Sequence, residues 1–512
     1  MKKRFEALCA GLLVLAFVGF GHAGTVQLSS GSVAGDASGE VDVFRGIPYA
    51  APPVGALRWQ IPNEVASWKG VRQATEFSAG CPQAGTLAMM MGETMPQLSE
   101  DCLYLNVWTA DEKAKKPVMV WIHGGGLTLG WGHQPGYDGT NLTKQGVVLV
   151  SINYRLGPLG FLAHPALSKE SKSGISGNYG LLDQVAALKW VQTNIASFGG
   201  DPNNVTIFGE SAGGTSVNAL VASPLAKGLF HKAIAQSPWV TDTNFAKLKQ
   251  ALPNVASAEA LGEQWAQTVL GDAAGGDVLA KLRKIDGVTL QNKTGNNYPV
   301  AVTVDGWFMP DVSTNVYARG EHNDVPLMVG TNTDEGTMFV AVLPFATPQD
   351  FQAAMRSRYG RHAGAVLKLY SVTNAKDLAA AKNQLITDTW FVQGAKSMLS
   401  AATNSFEYHF SRRSRALPAW GAHHALEIGY AFDNLDAATA DETDVRLANA
   451  MSRYWVQFAK TGNPNADGLP QWPAYKSGPD AHLELGDEIR AGVGYRRAAM
   501  ATFKEAAEKQ PL

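Results

Sequence analysis

An excess of either charge is what this chain most conspicuously lacks. Its 512 residues carry 43 Lys and Arg against 45 Asp and Glu, for a net charge of −2. Beyond Lys2, Lys3 and Arg4 no basic run occurs, so the footprint of a nucleic-acid partner is missing. Long hydrophobic runs are missing too. The longest, residues 8–20, falls short of the roughly 20 residues needed to cross a bilayer. Repeats, low-complexity tracts and linker-like stretches are absent, which leaves no boundary to cut at. Cysteine is scarce, at three residues.

The short apolar run and the basic residues before it instead spell a secretory leader. Gly21 and Ala23 supply small residues at the −3 and −1 positions of a cleavage site. Residues 1–23 are expected to be a signal peptide, with retention as an anchor the alternative. Cys9 sits inside the apolar run rather than after it, which argues against a lipid anchor. A secreted or periplasmic protein follows. Loss of the leader leaves Cys81 and Cys102, and two cysteines in an oxidising compartment suggest one disulfide. Two buried free thiols are the other reading.

What the chain has in quantity is core-forming sequence: 45% hydrophobic residues with 53 Gly and 25 Pro, typical of a globular enzyme. Residues 118–122, 147–152, 205–208, 233–236, 326–330 and 406–410 read as apolar strands. Residues 181–195 and 444–460 read as helices; the second has Val445, Leu447, Met451, Tyr454, Trp455 and Phe458 as its apolar residues. Strands alternating with helices predict an α/β fold with a mostly parallel sheet covered on both faces. Ala-rich helical insertions at about 241–300 and 344–400 are expected as a lobe over the sheet's edge, within one domain spanning 24–512.

Two glycine motifs carry the chemistry. The strand at 205–208 runs into Gly209-Glu210-Ser211-Ala212-Gly213, a nucleophile-elbow pattern that places a serine on a tight strand-to-helix turn. Upstream, the strand at 118–122 runs into His123-Gly124-Gly125-Gly126, whose backbone N–H groups suit an oxyanion. Such a fold needs an acid and then a histidine after the serine. Asp334, Glu335, Asp350, Asp377, Asp388 and Glu407 qualify as acids, and His362, His409, His423, His424 and His482 as bases. His409 lies in a strand pattern and reads as a packed sheet residue. His123 reads as a structural hydrogen-bonder.

The residues at 44–59 (FRGIPYAAPPVGALRW), 99–108 (SEDCLYLNVW), 151–162 (SINYRLGPLGFL), 177–184 (GNYGLLDQ) and 333–339 (TDEGTMF), with the two glycine motifs, resemble the type B carboxylesterases. This is the cholinesterase-like branch of the α/β-hydrolase fold. The resemblance runs from about residue 25 to the C-terminus. It implies Glu335, in its D-E-G motif, as the triad acid. It implies His424, three residues before Glu427, as the base, and leaves His423 without a role. Ser211 would attack an ester carbonyl, and the N–H groups of Gly125, Gly126 and Ala212 would bind the oxyanion. No metal or cofactor is implied. The resemblance also implies ion pairs Arg45–Glu100 and Arg155–Asp183 and a disulfide Cys81–Cys102. Glu210 is placed either to tune His424 or to serve the fold.

A small-molecule ester is the expected partner. Cholinesterases hold a quaternary ammonium on a tryptophan whose position here is Gly92, beside Met89, Met90 and Met91, so choline specificity is disfavoured. Trp131, Trp239, Met338, Phe339 and Trp420 flank the motifs and are candidate pocket walls, or plain core. Arg412, Arg413 and Arg415 could hold a substrate carboxylate, though a solvated cluster is the preferred account. A binding protein that has lost catalysis and a serine peptidase share the fold. The retained triad residues argue against the first, and the flanking motifs against the second.

Overall fold

The computed structural model describes residues 22–85, 93–241, 244–252, 255–294, 298–477 and 479–508. The leader therefore lies outside the described residues except for His22 and Ala23, which open the first strand. Gly92 and its three neighbouring methionines also lie outside them.

Among the described residues, thirteen strands form one sheet. At its first edge β1 (His22–Leu28), β2 (Gly31–Ser38), β3 (Val41–Pro48) and β5 (Tyr104–Thr109) pair antiparallel, with β4 (Val71–Gln73) added to β2. The middle runs parallel in the spatial order β7 (Val148–Ile152), β6 (Lys116–Ile122), β8 (Gly200–Glu210), β9 (Lys232–Gln236), β12 (Leu327–Asn332), β13 (Ser405–Phe410), β14 (Ala481–Leu485). β15 (Ile489–Val493) closes it antiparallel. β10 (Phe245–Lys247) and β11 (Val302–Val304) make a separate parallel pair.

The central strands read as unbroken apolar runs because both faces are covered. Val118, Val120, Ile122, Val205 and Ile207 point into one core, shared with the helices Tyr179–Asn194 and Ala212–Ala222. Met119, Trp121 and Phe208, at the alternate positions, point into a second core. That core is filled by Leu447, Met451, Tyr454, Trp455 and Phe458 of the helix Glu442–Thr461. The helix opens with a capping box between Asp441 and Asp444. Val445 departs from its expected place: it is 58% exposed, on the helix's solvent side.

The insertions are mainly helical, as expected: Ala258–Leu270, Val278–Arg283 and Gly287–Thr294 in the first, Pro348–Tyr359, Ala363–Leu369, Ala375–Ile386 and Gln393–Ala401 in the second. The second insertion builds a third core of its own, in which Phe351, Met355, Val366 and Tyr370 meet Phe503 of the C-terminal helix Arg497–Glu508.

Cys81 and Cys102 form a disulfide. Arg155 and Asp183 form a fully buried ion pair at 2.6 Å. The expected Arg45–Glu100 pair is corrected. Glu100 instead pairs with Arg58 at 2.5 Å, and Arg45 binds Asp36 at 2.8 Å. The reason is reach across the first insertion. The Arg58 guanidinium also donates to the carbonyls of Leu282 and Ile285, and Glu100 accepts from the Gly287 N–H, so this pair locks the disulfide loop to the insertion.

Candidate active site

Ser211 sits between the end of β8 and the helix Ala212–Ala222, with φ 56° and ψ −118°. A non-glycine residue there is strained, and such strain persists only where the surroundings enforce it. Here the Ser211 N–H is anchored on the Gln236 carbonyl of β9 at 3.0 Å. Tight packing closes the other side: a Cβ on Gly213 would overlap the Ile122 carbonyl oxygen, and one on Gly124 would lie 3.2 Å from the Ser211 Cβ. The two glycine motifs thus touch back to back. Gly125 (φ 103°) and Gly126 (φ 63°) turn the second motif, and the Gly125 carbonyl accepts from Thr128 and Leu129. Among the described residues, the N–H groups of Gly125, Gly126 and Ala212 donate no hydrogen bond, nor does the Ser211 hydroxyl.

Glu335 follows β12 at the start of a 3-10 turn, Glu335–Val342. It is fully buried and saturated. Its Oε1 accepts from the Asn332 N–H at 2.7 Å and the Ser237 hydroxyl at 2.5 Å, and its Oε2 accepts from His424 Nδ1 at 2.6 Å. Three donors thus converge on this one carboxylate. The His424 loop is stitched to the end of β12. Asp334 exchanges hydrogen bonds with Ala422, and the Asn332 side chain donates to the His423 carbonyl and to Glu427 Oε2. Glu427 Oε1 accepts from Gln236, whose own side-chain oxygen accepts from Trp455 Nε1 at 3.0 Å. A polar thread therefore runs from the helix Glu442–Thr461 through buried residues to the histidine loop. His423 turns away: its Nδ1 donates to the His424 carbonyl, and its ring lies against Trp420.

Nε2 of His424 faces Glu210, whose Oε1 lies 3.2 Å away. That oxygen accepts no hydrogen bond, so the contact is off the N–H axis and purely electrostatic. Burial disfavours a charged imidazole, but Glu210 and Glu335 outweigh it and raise the His424 pKa from 6.5 to about 9. Burial likewise drives the Glu210 carboxyl well above its ordinary value, opposed by His424. These two shifts describe one proton contested by Glu210 and His424. The direction that holds is upward for His424, because a carboxylate faces each of its two ring nitrogens.

Aromatic rings wall the imidazole. Phe391 and Phe339 lie 4.8 and 5.2 Å from the His424 ring, Trp390 lies 5.7 Å from Phe339, and Trp239 lies 5.8 Å from Trp390. Trp239 and Phe339, both sequence candidates, therefore join this cluster, and Met338 precedes Phe339 on the same 3-10 turn. Trp131 is buried, with its ring contact to His133 instead. Arg412 is consumed by Asp441, Asp444 and Asp487, Arg415 by Asp441, and exposed Arg413 touches the Pro418 carbonyl. His409 packs in β13, stacked on Tyr495 and bonded to Thr333. His123 is buried, its Nδ1 on the Gly124 carbonyl. Sequence reasoning missed Ser237, Asn332, Trp390 and Phe391. The first two lie at or just past the ends of apolar runs, where a polar residue signals nothing by itself.

Chemically, the elbow presents an unbonded hydroxyl beside unbonded backbone N–H groups, and nearby a basic imidazole backed by a fixed carboxylate. A sequence model of the carboxylesterase family matches residues 22–503. The chain is 38% identical over 487 residues to the fumonisin B1 esterase of Sphingopyxis macrogoltabida, covering 91% of this chain and 87% of that protein. It is 38% identical over 478 residues to the para-nitrobenzyl esterase of Bacillus subtilis, covering 91% and 95%. A solved PNB esterase structure matches with a TM-score of 0.81 at 34% identity, covering 95% of this chain and 99% of that one.

Proposed function

Since the chain belongs to the carboxylesterase family and is a carboxylic ester hydrolase, we propose that it works through Ser211, His424 and Glu335 and an acyl-enzyme. His424 Nε2 takes the Ser211 proton as the hydroxyl attacks the ester carbonyl, and Glu335 stabilises the imidazolium. The N–H groups of Gly125, Gly126 and Ala212 receive the oxyanion. They need no reorganisation to do so, because none is already spent on another acceptor. The alcohol leaves with the proton from His424. Water, deprotonated by the same imidazole, then hydrolyses the acyl-enzyme. The observation that carries this reading is the 2.6 Å bond from His424 Nδ1 to the saturated Glu335 carboxylate, which fixes the tautomer with Nε2 as the proton acceptor.

Substrates are taken to be neutral small-molecule esters, because the rings around His424 are uncharged. We also infer one folded unit over 24–512, exported after loss of the leader at 1–23. The Cys81–Cys102 disulfide favours an oxidising destination, and among the described residues no helix is long and apolar enough to cross a membrane. The test is hydrolysis of p-nitrophenyl butyrate with trapping by an organophosphate. Ser211→Ala should lose about 10⁵-fold or more in kcat while melting at the wild-type temperature. Labelling of that variant, or its retained turnover, would end the assignment.

A further inference from the structure

The wall of the site is held from an unexpected direction. Trp390 and Phe391 belong to a single π-helical turn, Thr387–Val392, inserted between the helices Ala375–Ile386 and Gln393–Ala401. Such turns are costly in an α-helix and cluster at functional sites. This one packs on the acid turn, where the Gly336 N–H donates to Thr387 Oγ1 at 3.3 Å, and on the segment after β9, where the Val240 N–H donates to the Trp390 carbonyl at 3.1 Å.

Within the turn lies Asp388, fully buried although it contacts neither His424 nor Glu335. Its Oδ2 accepts from the Tyr370 hydroxyl at 2.7 Å, and its Oδ1 lies 3.1 Å from Nε of Arg496. Arg496 comes from the far end of the chain, in the strap between β15 and the helix Arg497–Glu508. It has φ 55°, a strained value for arginine. The strap is pinned on both sides: Tyr495 stacks on His409 at 3.9 Å, and Phe503 lies 5.8 and 6.4 Å from the rings of Tyr359 and Tyr370. A buried ion pair is weak evidence for stability, since apolar replacements often do as well, but it can specify one register. Here the register matters, because Trp390 and Phe391 follow Asp388 directly in the same six-residue turn and pack on Trp239, Phe339 and His424.

We propose that Arg496 is a positioning residue: through Asp388 it fixes the π turn so that Trp390 and Phe391 face the substrate, and the C-terminal strap thereby sets which ester groups fit. This rests on the esterase reading above.

The experiment compares kcat and KM of the full-length protein on p-nitrophenyl acetate, hexanoate and benzoate. Arg496→Met should raise KM about tenfold for the two bulky esters and leave the acetate within about twofold, and Arg496→Lys should recover part of the loss. Trp390→Ala should show the same redistribution, with Arg496→Met adding nothing in that background. Equal losses on all three esters, or KM unchanged throughout, would overturn the proposal. A wild-type protein inactive on every ester would instead condemn the esterase reading. Hydrogen exchange covers that case without substrate: amides of 387–392 should exchange faster in Arg496→Met, and unchanged exchange there overturns the proposal. If Arg496→Met does not fold, Tyr370→Phe is read by the same two measurements and the same criteria.

Discussion

The two nitrogens of His424 look onto carboxylates kept in opposite conditions. Glu335, behind Nδ1, has three donors and no unmet need. Glu210, in front at Nε2, is just as buried yet has an oxygen with no hydrogen bond at all. Burial pushes the Glu210 carboxyl toward the neutral form. What differs between the two carboxylates is the number of donors each receives. The saturated side orients, and the unsaturated side is left to respond to charge.

Removing the Glu335 carboxylate should break the contrast most severely. Glu335→Gln keeps the shape but offers Nδ1 an amide, and kcat should fall about 10⁴-fold at neutral pH. Glu210→Gln should cost less, about ten- to thirtyfold in kcat/KM, and its signature is in the pH profile. In the proposed mechanism activity needs neutral His424, so it rises with pH through the imidazole pKa, lifted to about 9 by Glu210 and Glu335 together. Deleting the Glu210 charge lowers that pKa, so the rising limb of kcat/KM should move to lower pH. A limb that stays put, or moves up, would show that Glu210 is already neutral in the working enzyme. The smallest effect is expected from Ser237→Ala, which removes one of three donors to Glu335. A charged hydrogen bond of about 1.5 kcal/mol predicts a drop near tenfold in kcat.

How much of this was legible beforehand varies with the distance over which each residue acts. Ser211 was legible because an elbow is local: strand, glycine, serine and glycine are consecutive, and the strained φ follows. The central strands were legible because they are apolar on both faces. β1 to β4, at a sheet edge with one face toward solvent, left no such run and went unread. His424 could be told from His423 only by resemblance, since spacing offers both, and the structure turns the His423 ring back onto its own loop. Arg45 and Arg58 lie in the same motif stretch; the resemblance implied Arg45 for Glu100, and the insertion carbonyls that Arg58 reaches come together with it only in the folded chain. Phe391 and Trp390 were illegible for a similar reason. Their meaning depends on Phe339, Trp239, His424 and Arg496, which the chain scatters over more than 250 positions.

The thread from Trp455 through Gln236 and Glu427 to Asn332 has a temporal consequence. Translation delivers Ser211, the proposed nucleophile, when less than half of the polypeptide exists, but the segment that braces the histidine loop comes only near the end. A growing chain is thus expected to stay hydrolytically silent on the ribosome, arming only once residue 455 has emerged.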